Sequence, residues 1–378
     1  MRGPDTRARL GRRAILSGGA LALAFPHLVR AGEPAGPRLE VFGTDPQNLA
    51  TPKDLFAQLI TPNDRFFIRS HFGPPALDRG RPLAVEGLVT NKLSLKVADL
   101  KTLPVVSVTA VLQCSGNGRS LHAPRVPGIQ WNHGAMGQAK FTGVRLRDLL
   151  EKAGLEASLR KGAHVHLRGA DAPPKPSVPA FLRSIPVERA LDPTTLVAWA
   201  MNDEDLALSH GAPLRLVVPG WAGDHWVKWL TRVAVEKEEA PGFYMQTAYR
   251  MPIEPVEPGS AVPPEKMRPA TTFPVKSVIA HGSGRSLAGV AFSGDAPIAK
   301  VEISLDGGAT WKPAKLEGEP GLGRWQVFRY ELEPGVKGKV RAVARATDAK
   351  KNAQPEKAAW NPSGYFWNAW DSAEWEAS

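Results

Sequence analysis

The sequence predicts an α+β domain followed by an all-β, immunoglobulin-like sandwich. Three observations predict it. Residues 61–250 mix strand-like stretches with short helix-like ones. A Pro-rich run, Met251-Pro252-Ile253-Glu254-Pro255-Val256-Glu257-Pro258-Gly259, then breaks that pattern. Beyond it come only short alternating strands, over roughly 100 residues, the length of an immunoglobulin-like sandwich. A chain of 378 residues exceeds what one ordinary core fills. Its 35 Pro and 36 Gly favour turns and strands over long helices. These features divide the chain into residues 1–31, 32–255 and 256–378.

Residues 1–31 carry six Arg and one Asp, a net +5 of the chain's +11. Arg12-Arg13 precede a short apolar, Gly-containing stretch, Ala14 to Phe25, and Val29-Arg30-Ala31 offers small residues for cleavage. The segment resembles a twin-arginine export signal, with Gly11 where Ser or Thr often stands. Export to the periplasm is the expectation. The stretch is too short to span a bilayer comfortably, and no other segment is long and apolar enough. The remaining charge, near +6, suits anionic partners. No Lys/Arg run points to nucleic acid.

Residues 32–60 read as a Pro- and polar-rich lead-in. Val105 to Leu112 is β-branched and reads as a buried strand running into the loop Gln113-Cys114-Ser115-Gly116-Asn117-Gly118-Arg119. Leu146 to Ala153 reads as a helix stopped by Gly154. Ala163 to Arg168 and Leu214 to Val218 read as strands, the second ending at Pro219-Gly220. Past the linker, Val301 to Leu305 alternates, Asp306-Gly307-Gly308 turns, and Trp311 opens the next strand. Phe328, Tyr330 and Leu332 share one face. So do Val340, Ala342, Ala344 and Ala346, with Arg341 and Arg345 opposite.

Four segments carry candidate chemistry. Cys114 is the chain's one cysteine, so no intramolecular disulfide forms. It is either an inert buried thiol or a ligating one. Arg119 nearby is expected to lower the thiol pKa and favour thiolate, a soft metal ligand. A thiolate-rich zinc site is excluded, whereas a cysteine hydrolase is not, because nine His are available. In Phe67-Ile68-Arg69-Ser70-His71, Arg69 and His71 fall on one face of an extended segment, as an oxyanion site or as a surface Arg and a packed His. Ser209 to Arg215 and Gly220 to Trp229 gather His210, Arg215 and Lys228 among glycines, a phosphate cradle or a tight turn with a basic rim. Gly242 to Arg250 sets Tyr249 beside a cation, where its hydroxyl reaches an anion or a neighbour.

As a set, these segments resemble the sulfite oxidase family of molybdopterin-dependent enzymes, in its bacterial periplasmic sulfite dehydrogenase branch. The resemblance spans about residues 60–378. It is carried by Phe67 to His71, Leu112 to Asn117, Trp131 with Gly134-Ala135, Ser184-Ile185-Pro186, His210 with Arg215, Val227-Lys228-Trp229, Tyr249 and Val301 to Gly308. It implies a sulfite-oxidase-type molybdopterin-binding domain and a C-terminal immunoglobulin-like dimerisation domain. By that resemblance Cys114 binds molybdenum beside a pyranopterin. Arg69, His71, Arg119 and Tyr249 form the catalytic pocket. Phe67, Ile68, Arg69, Ser70, His71, Asp171, His210, Arg215, Trp226, Val227 and Lys228 hold the cofactor. Ser363 stands where vertebrate members have an Arg, which implies a less positive pocket.

The implied reaction is oxidation of sulfite to sulfate. With one Cys there is no Cys-x-x-Cys-His, so no haem is expected in the chain, and the electrons go to a separate c-type cytochrome. A homodimer, or a heteromer with a cytochrome subunit, is expected. The nearest rival is the sulfane dehydrogenase subunit of thiosulfate-oxidising complexes. Periplasmic methionine-sulfoxide reductases of the same superfamily lack the C-terminal sandwich. A metal-free β-sandwich binding protein is the reading from outside enzymes.

Overall fold

In the computed structural model, which describes residues 38–378, the strand Val105–Gln113 organises the first domain. The Arg-rich leader, residues 1–31, lies outside the described residues. Val105–Gln113 pairs along its whole length with Met136–Arg145. Met136–Arg145 pairs with Leu196–Met201, which adds Arg215–Val217 and Glu204–Asp205 to complete a five-stranded antiparallel sheet. The reading of Val105 to Leu112 as buried throughout needs correction. Its first half is exposed or half-buried, and full burial begins at Ala110. β-Branched residues suit any pleated surface, so their propensity does not report burial. The half that enters the core is the half that delivers Cys114.

A second five-stranded sheet runs in the order Leu93–Leu95, Leu83–Gly87, Leu230–Glu236, His164–Gly169, Leu182–Pro186. Only Leu83–Gly87 and Leu230–Glu236 are parallel. Leu83, Val85, Phe141, Val165, Leu167 and Val233 from the two sheets meet in one core. The helix Leu146–Lys152 adds Leu146, Leu149 and Leu150, one helical face. Gly154 follows it at φ +77°, the left-handed stop expected there.

Two segments read as irregular are ordered by pairing. Glu40–Thr44 and Gln47–Ala50 form a hairpin, and Gln47–Ala50 pairs with Ile68–Arg69, which fixes Arg69. Arg250–Pro252 pairs with Met267–Pro269, so the Pro-rich run is a loop closed by a two-stranded ribbon. Propensity hides both, because the partners are distant in sequence.

The C-terminal domain is a sandwich of two antiparallel four-stranded sheets. One is Lys276–Ser283, Ser286–Phe292, Gln326–Glu331, Lys315–Glu317; the other is Lys312–Pro313, Ile298–Ser304, Gly338–Asp348, Asp371–Ala377. Phe328, Tyr330, Leu332, Val340, Ala342, Ala344 and Ala346 all point into its core, as their alternation predicts. Among the described residues no helix is long and apolar enough to cross a membrane.

The sandwich is joined to the first domain by a shared apolar cluster. Val111, Met136 and Ala222 pack with Phe273, Phe292, Trp325 and Phe366. Trp325 is its peg: its backbone N–H donates to Gln138 Oε1 at 2.7 Å and its indole N–H to the Leu59 carbonyl at 3.0 Å. The segment before the last strand returns to the Cys114 loop, where the Phe366 N–H donates to the Ser115 carbonyl at 2.9 Å.

Trp325→Ala removes a fully buried side chain and should cost about 3–5 kcal/mol. Chemical denaturation checks this, and an unchanged midpoint would show that the domains are held together elsewhere.

Candidate active site

Cys114 follows the last residue of its strand, and the loop after it is pinned from several sides. Its N–H donates to the Ala135 carbonyl at 2.9 Å and its carbonyl accepts from the Asn117 N–H at 3.0 Å. The Asn117 side chain accepts from the Ala135 N–H at 3.0 Å and donates to Gln113 Oε1 at 3.2 Å. Gly118 lies at φ +86°, and a Cβ there would come within 2.9 Å of Trp367 Cβ, so the position requires glycine. Burial pushes the Cys114 thiol pKa up, and the charges of Arg69 and then Arg119 only partly offset it. The expectation of a lowered pKa is therefore corrected, because desolvation outweighs both cations. Full thiolate character at Cys114 calls for a metal cation on the sulfur itself.

The thiol opens onto a cleft of about 750 Å³. Of the residues singled out in the sequence, Phe67, Arg69, Ser70, His71 and Asp171 line it with Cys114. His210, Arg215, Trp226, Val227, Lys228 and Tyr249 complete that set. Lys228 Nζ donates to Ser70 Oγ at 3.0 Å and to the Ser209 carbonyl at 2.8 Å. Arg215 donates to the His210 carbonyl at 2.9 Å. Gly211, at φ +108°, and the strand Arg215–Val217 place these cations on one wall.

Desolvation leaves its mark on every ionisable group of that wall. Lys228 is lowered to about 7, Arg215 to about 9 and His210 to about 4, each chiefly by burial. Asp171 is raised to about 6 for the same reason. The wall thus holds more positive than negative charge where water does not screen it.

In the same cleft Arg69, His71 and Tyr249 form a chain. Arg69 Nη2 lies 3.1 Å from His71 Nδ1, and His71 Nε2 lies 2.6 Å from Tyr249 Oη. Burial, then the charges of Arg69 and Arg183, lower the His71 pKa to about 3, so the ring is neutral. A guanidinium only donates. Nδ1 is therefore the acceptor, the proton is assigned to Nε2, and Nε2–H donates to Tyr249 Oη. The Tyr249 proton is left free to be donated elsewhere. Tyr249 itself sits at φ +57°, a left-handed conformation costing on the order of 1–3 kcal/mol at a non-glycine residue.

Two residues fall outside the cleft. Ile68 pairs with Leu49 and holds the edge of the small sheet. Arg119 does not line the cleft either. Its Nε donates to the Ser363 carbonyl at 3.2 Å, its Nη1 to the Ile129 carbonyl at 3.1 Å, and its guanidinium lies over the Tyr365 ring at 5.4 Å. Ser363 donates to the Arg250 carbonyl at 3.0 Å.

Sequence reasoning missed the layer behind Tyr249. Arg183 is fully buried and donates to Asp224 Oδ2 at 2.8 Å, to His225 Nε2 at 2.8 Å and to the Tyr244 carbonyl. Asp224 lines the cleft and is raised to about 6 by burial, with Arg183 opposing. Tyr365 stacks on Tyr249 at 5.8 Å and 8°. The available signal was a charged residue inside the otherwise strand-like Phe181-Leu182-Arg183-Ser184-Ile185-Pro186.

A family model described as an oxidoreductase molybdopterin binding domain matches residues 72–244, and a Mo-co oxidoreductase dimerisation domain matches residues 268–374. The chain is 35% identical over 380 residues to sulfite oxidase of Gallus gallus, covering 90% of this chain and 78% of that protein. It is 34% identical over 368 residues to sulfite oxidase of Arabidopsis thaliana, covering 89% and 93%. Among solved structures it resembles the sulfane dehydrogenase SoxCD from Paracoccus pantotrophus, at 26% identity and a TM-score of 0.77, with 95% of each chain covered. The chain belongs to the sulfite oxidase family of molybdopterin-binding oxidoreductases.

The cleft fits a molybdenum–pterin group. Among the described residues no set of three His, Cys, Asp or Glu is placed to cage a metal, so a metal at Cys114 takes its other ligands from a cofactor. Arg215 Nε is buried without a hydrogen-bond partner, and the surplus cations beside it call for an anionic occupant.

The Lys228 pKa falls from 10.5 in the unfolded chain to about 7 in the fold. Between those values the unfolded chain holds more protons, so Lys228 makes cofactor-free protein gain stability as pH rises. Denaturation midpoints from pH 7 to 10 should show the rise, and Lys228→Met should flatten it in part, leaving the share of Lys276, which is lowered likewise. Equal slopes in both proteins would refute this placement of the charge.

Proposed function

We propose that this protein is a periplasmic molybdenum sulfite dehydrogenase that oxidises sulfite to sulfate and passes the electrons to a separate c-type cytochrome. The observation that carries the reading is the Arg69–His71–Tyr249 chain in the same cleft as the Cys114 thiol. In balance, sulfite and water give sulfate, two protons and two electrons. When bound, the molybdenum–pyranopterin group would supply the two-electron redox chemistry.

The chain's own residues do the rest. Cys114 holds the metal. Lys228, Arg215, His210 and Asp171 hold the pterin and its anionic end, and Phe67 and Trp226 cover it with apolar surface. Arg69 attracts and orients the substrate oxyanion with its planar donors. Tyr249, its oxygen already accepting from His71, turns its proton to a substrate oxygen. His71 stays neutral and adds no charge that would hold the doubly charged product. The +5 leader supports export, and a chain with a single cysteine supports an external haem acceptor.

One observation favours a second reading. SoxCD, matched over 95% of each chain, is a sulfane dehydrogenase, so a protein-bound sulfur chain is the alternative substrate. Steady-state assays with sulfite against a sulfur-loaded carrier protein decide between them. Purified enzyme should contain molybdenum and reduce cytochrome c with sulfite, and Cys114→Ala should lose both. Full activity in that variant would remove Cys114 as the ligand. Tyr249→Phe should retain molybdenum and lose about 10²–10³-fold in kcat, the usual effect of deleting one oriented donor.

A further inference from the structure

We propose that Arg183, which does not line the cleft, is a positioning residue that clamps Tyr249 and its neighbours in their working arrangement. The proposal rests on the role given to Tyr249 above. Arg183 has no exposed surface at all. Its guanidinium lies 5.2 Å from the Tyr249 ring centroid, within cation–π range. One terminal nitrogen donates both to Asp224 Oδ2 and to His225 Nε2, each at 2.8 Å. The other donates to the Tyr244 carbonyl. Tyr244 in turn packs against the His71 ring at 4.6 Å.

A single side chain therefore reaches the ring of Tyr249, the backbone under His71's neighbour and the cleft carboxylate Asp224. It thereby ties its own strand, Leu182–Pro186, to two other segments, Tyr244 to Tyr249 and Asp224-His225. Tyr249 needs such a hold, because its backbone is left-handed and its half-buried ring lines an open cleft. A planar fork suits the task better than an ammonium, since it bonds in several fixed directions at once. His225 completes the assembly. It is kept neutral by burial and by Arg183, so its Nε2 accepts from the guanidinium while Nδ1 lies 3.1 Å from Asp224 Oδ2.

The charge acts as well as the geometry. The groups facing His71 are Arg69 on its own segment, Tyr249 and Tyr244 on another, Phe181 next to Arg183, and Arg183 behind them. Removing the Arg183 charge leaves burial and the charge of Arg69 to oppose protonation of His71.

Two variants of the molybdenum-loaded enzyme test the clamp. Arg183→Lys keeps the charge and loses the fork. Arg183→Met combined with Asp224→Asn removes both charges without stranding a buried carboxylate, as Arg183→Met alone would. Arg183→Lys should bind molybdenum normally and lose about 10²-fold in kcat, the scale set by ångström-sized misplacement, with KM for sulfite nearly unchanged. Nitrogen-15 histidine spectra, with the His71 signal assigned by its loss in His71→Gln, should show Nε2 protonated in the wild type. In the neutral double variant His71 should take up its second proton at a higher pH. Wild-type kcat in both variants overturns the proposal, as does an unmoved His71 signal in the double variant. Loss of molybdenum and of kcat together would make Arg183 a scaffold residue and also overturn it. A wild-type enzyme inert toward sulfite would instead defeat the substrate reading, and the histidine spectra would still decide the clamp.

Discussion

Uncompensated positive charge in a poorly solvated cleft is the constraint on which this structure depends. Lys228, Arg215 and Arg69 face the space beside Cys114, and the carboxylates that line it with them are Asp171 and Asp224. Asp224 is largely committed to Arg183. Removing an ion from water costs several kcal/mol unless a counter-charge with good geometry replaces the water. The lowered pKa values of Lys228 and Arg215 and the raised one of Asp171 are that cost seen group by group. An anionic occupant relieves it. The same burial raises the pKa of the Cys114 thiol, with the charges of Arg69 and Arg119 opposing it only in part.

Holding such a site open requires a stiff frame, and the sandwich supplies part of it. The C-terminal segment that ends at Trp367 reaches the Cys114 loop through Phe366 N–H to Ser115 and through Trp367 against Gly118. Behind it, His133 Nε2 from the first domain lies 3.2 Å from Asp371 of the sandwich, with Lys276 buried in the same sandwich. Arg119 sits in a slot walled by Gly116, Gly128 and Gly364, where any Cβ would collide with its side chain. Ser363 contributes its carbonyl to that slot. The left-handed Trp229, Tyr249 and Phe366 are further signs that the fold spends stability around the cleft.

Much of this was legible in the sequence, for identifiable reasons. Period-two alternation gave the sandwich core, including Phe328, Tyr330 and Ala342 to Ala346, because both faces of those strands meet sharply different media. The cationic wall was half legible: His210, Arg215 and Lys228 lie within 19 positions of one another among glycines, a pattern that left a phosphate cradle and a basic-rimmed turn both open. What depends on distant pairing was not. The hairpin Glu40–Thr44 with Gln47–Ala50 and the ribbon at Arg250–Pro252 form from segments of weak local preference. Arg183 resembled any polar residue in a strand, and its partners lie 41, 42 and 61 positions away. The resemblance placed Arg119 in the pocket, whereas the fold turns its guanidinium to the Ser363 and Ile129 carbonyls. The sign of the thiol shift was lost for a related reason: sequence displays charges and hides burial.

The direction of hydrogen bonding across the site follows from one residue type. Arg69 has donors only, so the chain through His71 to Tyr249 runs one way and ends on a proton that Tyr249 must give away. A protonated His71 would break that polarity, since both nitrogens would then donate and Nδ1 would face a guanidinium. Burial and the charges of Arg69 and Arg183 make that state costly. The two arginines differ in access: Arg69 opens to the cleft, while Arg183 is sealed behind it. One cation is thus available to an incoming oxyanion while the other keeps the relay neutral and oriented. A buried arginine that never meets the substrate is in this way as much a part of the donor geometry as the one that does.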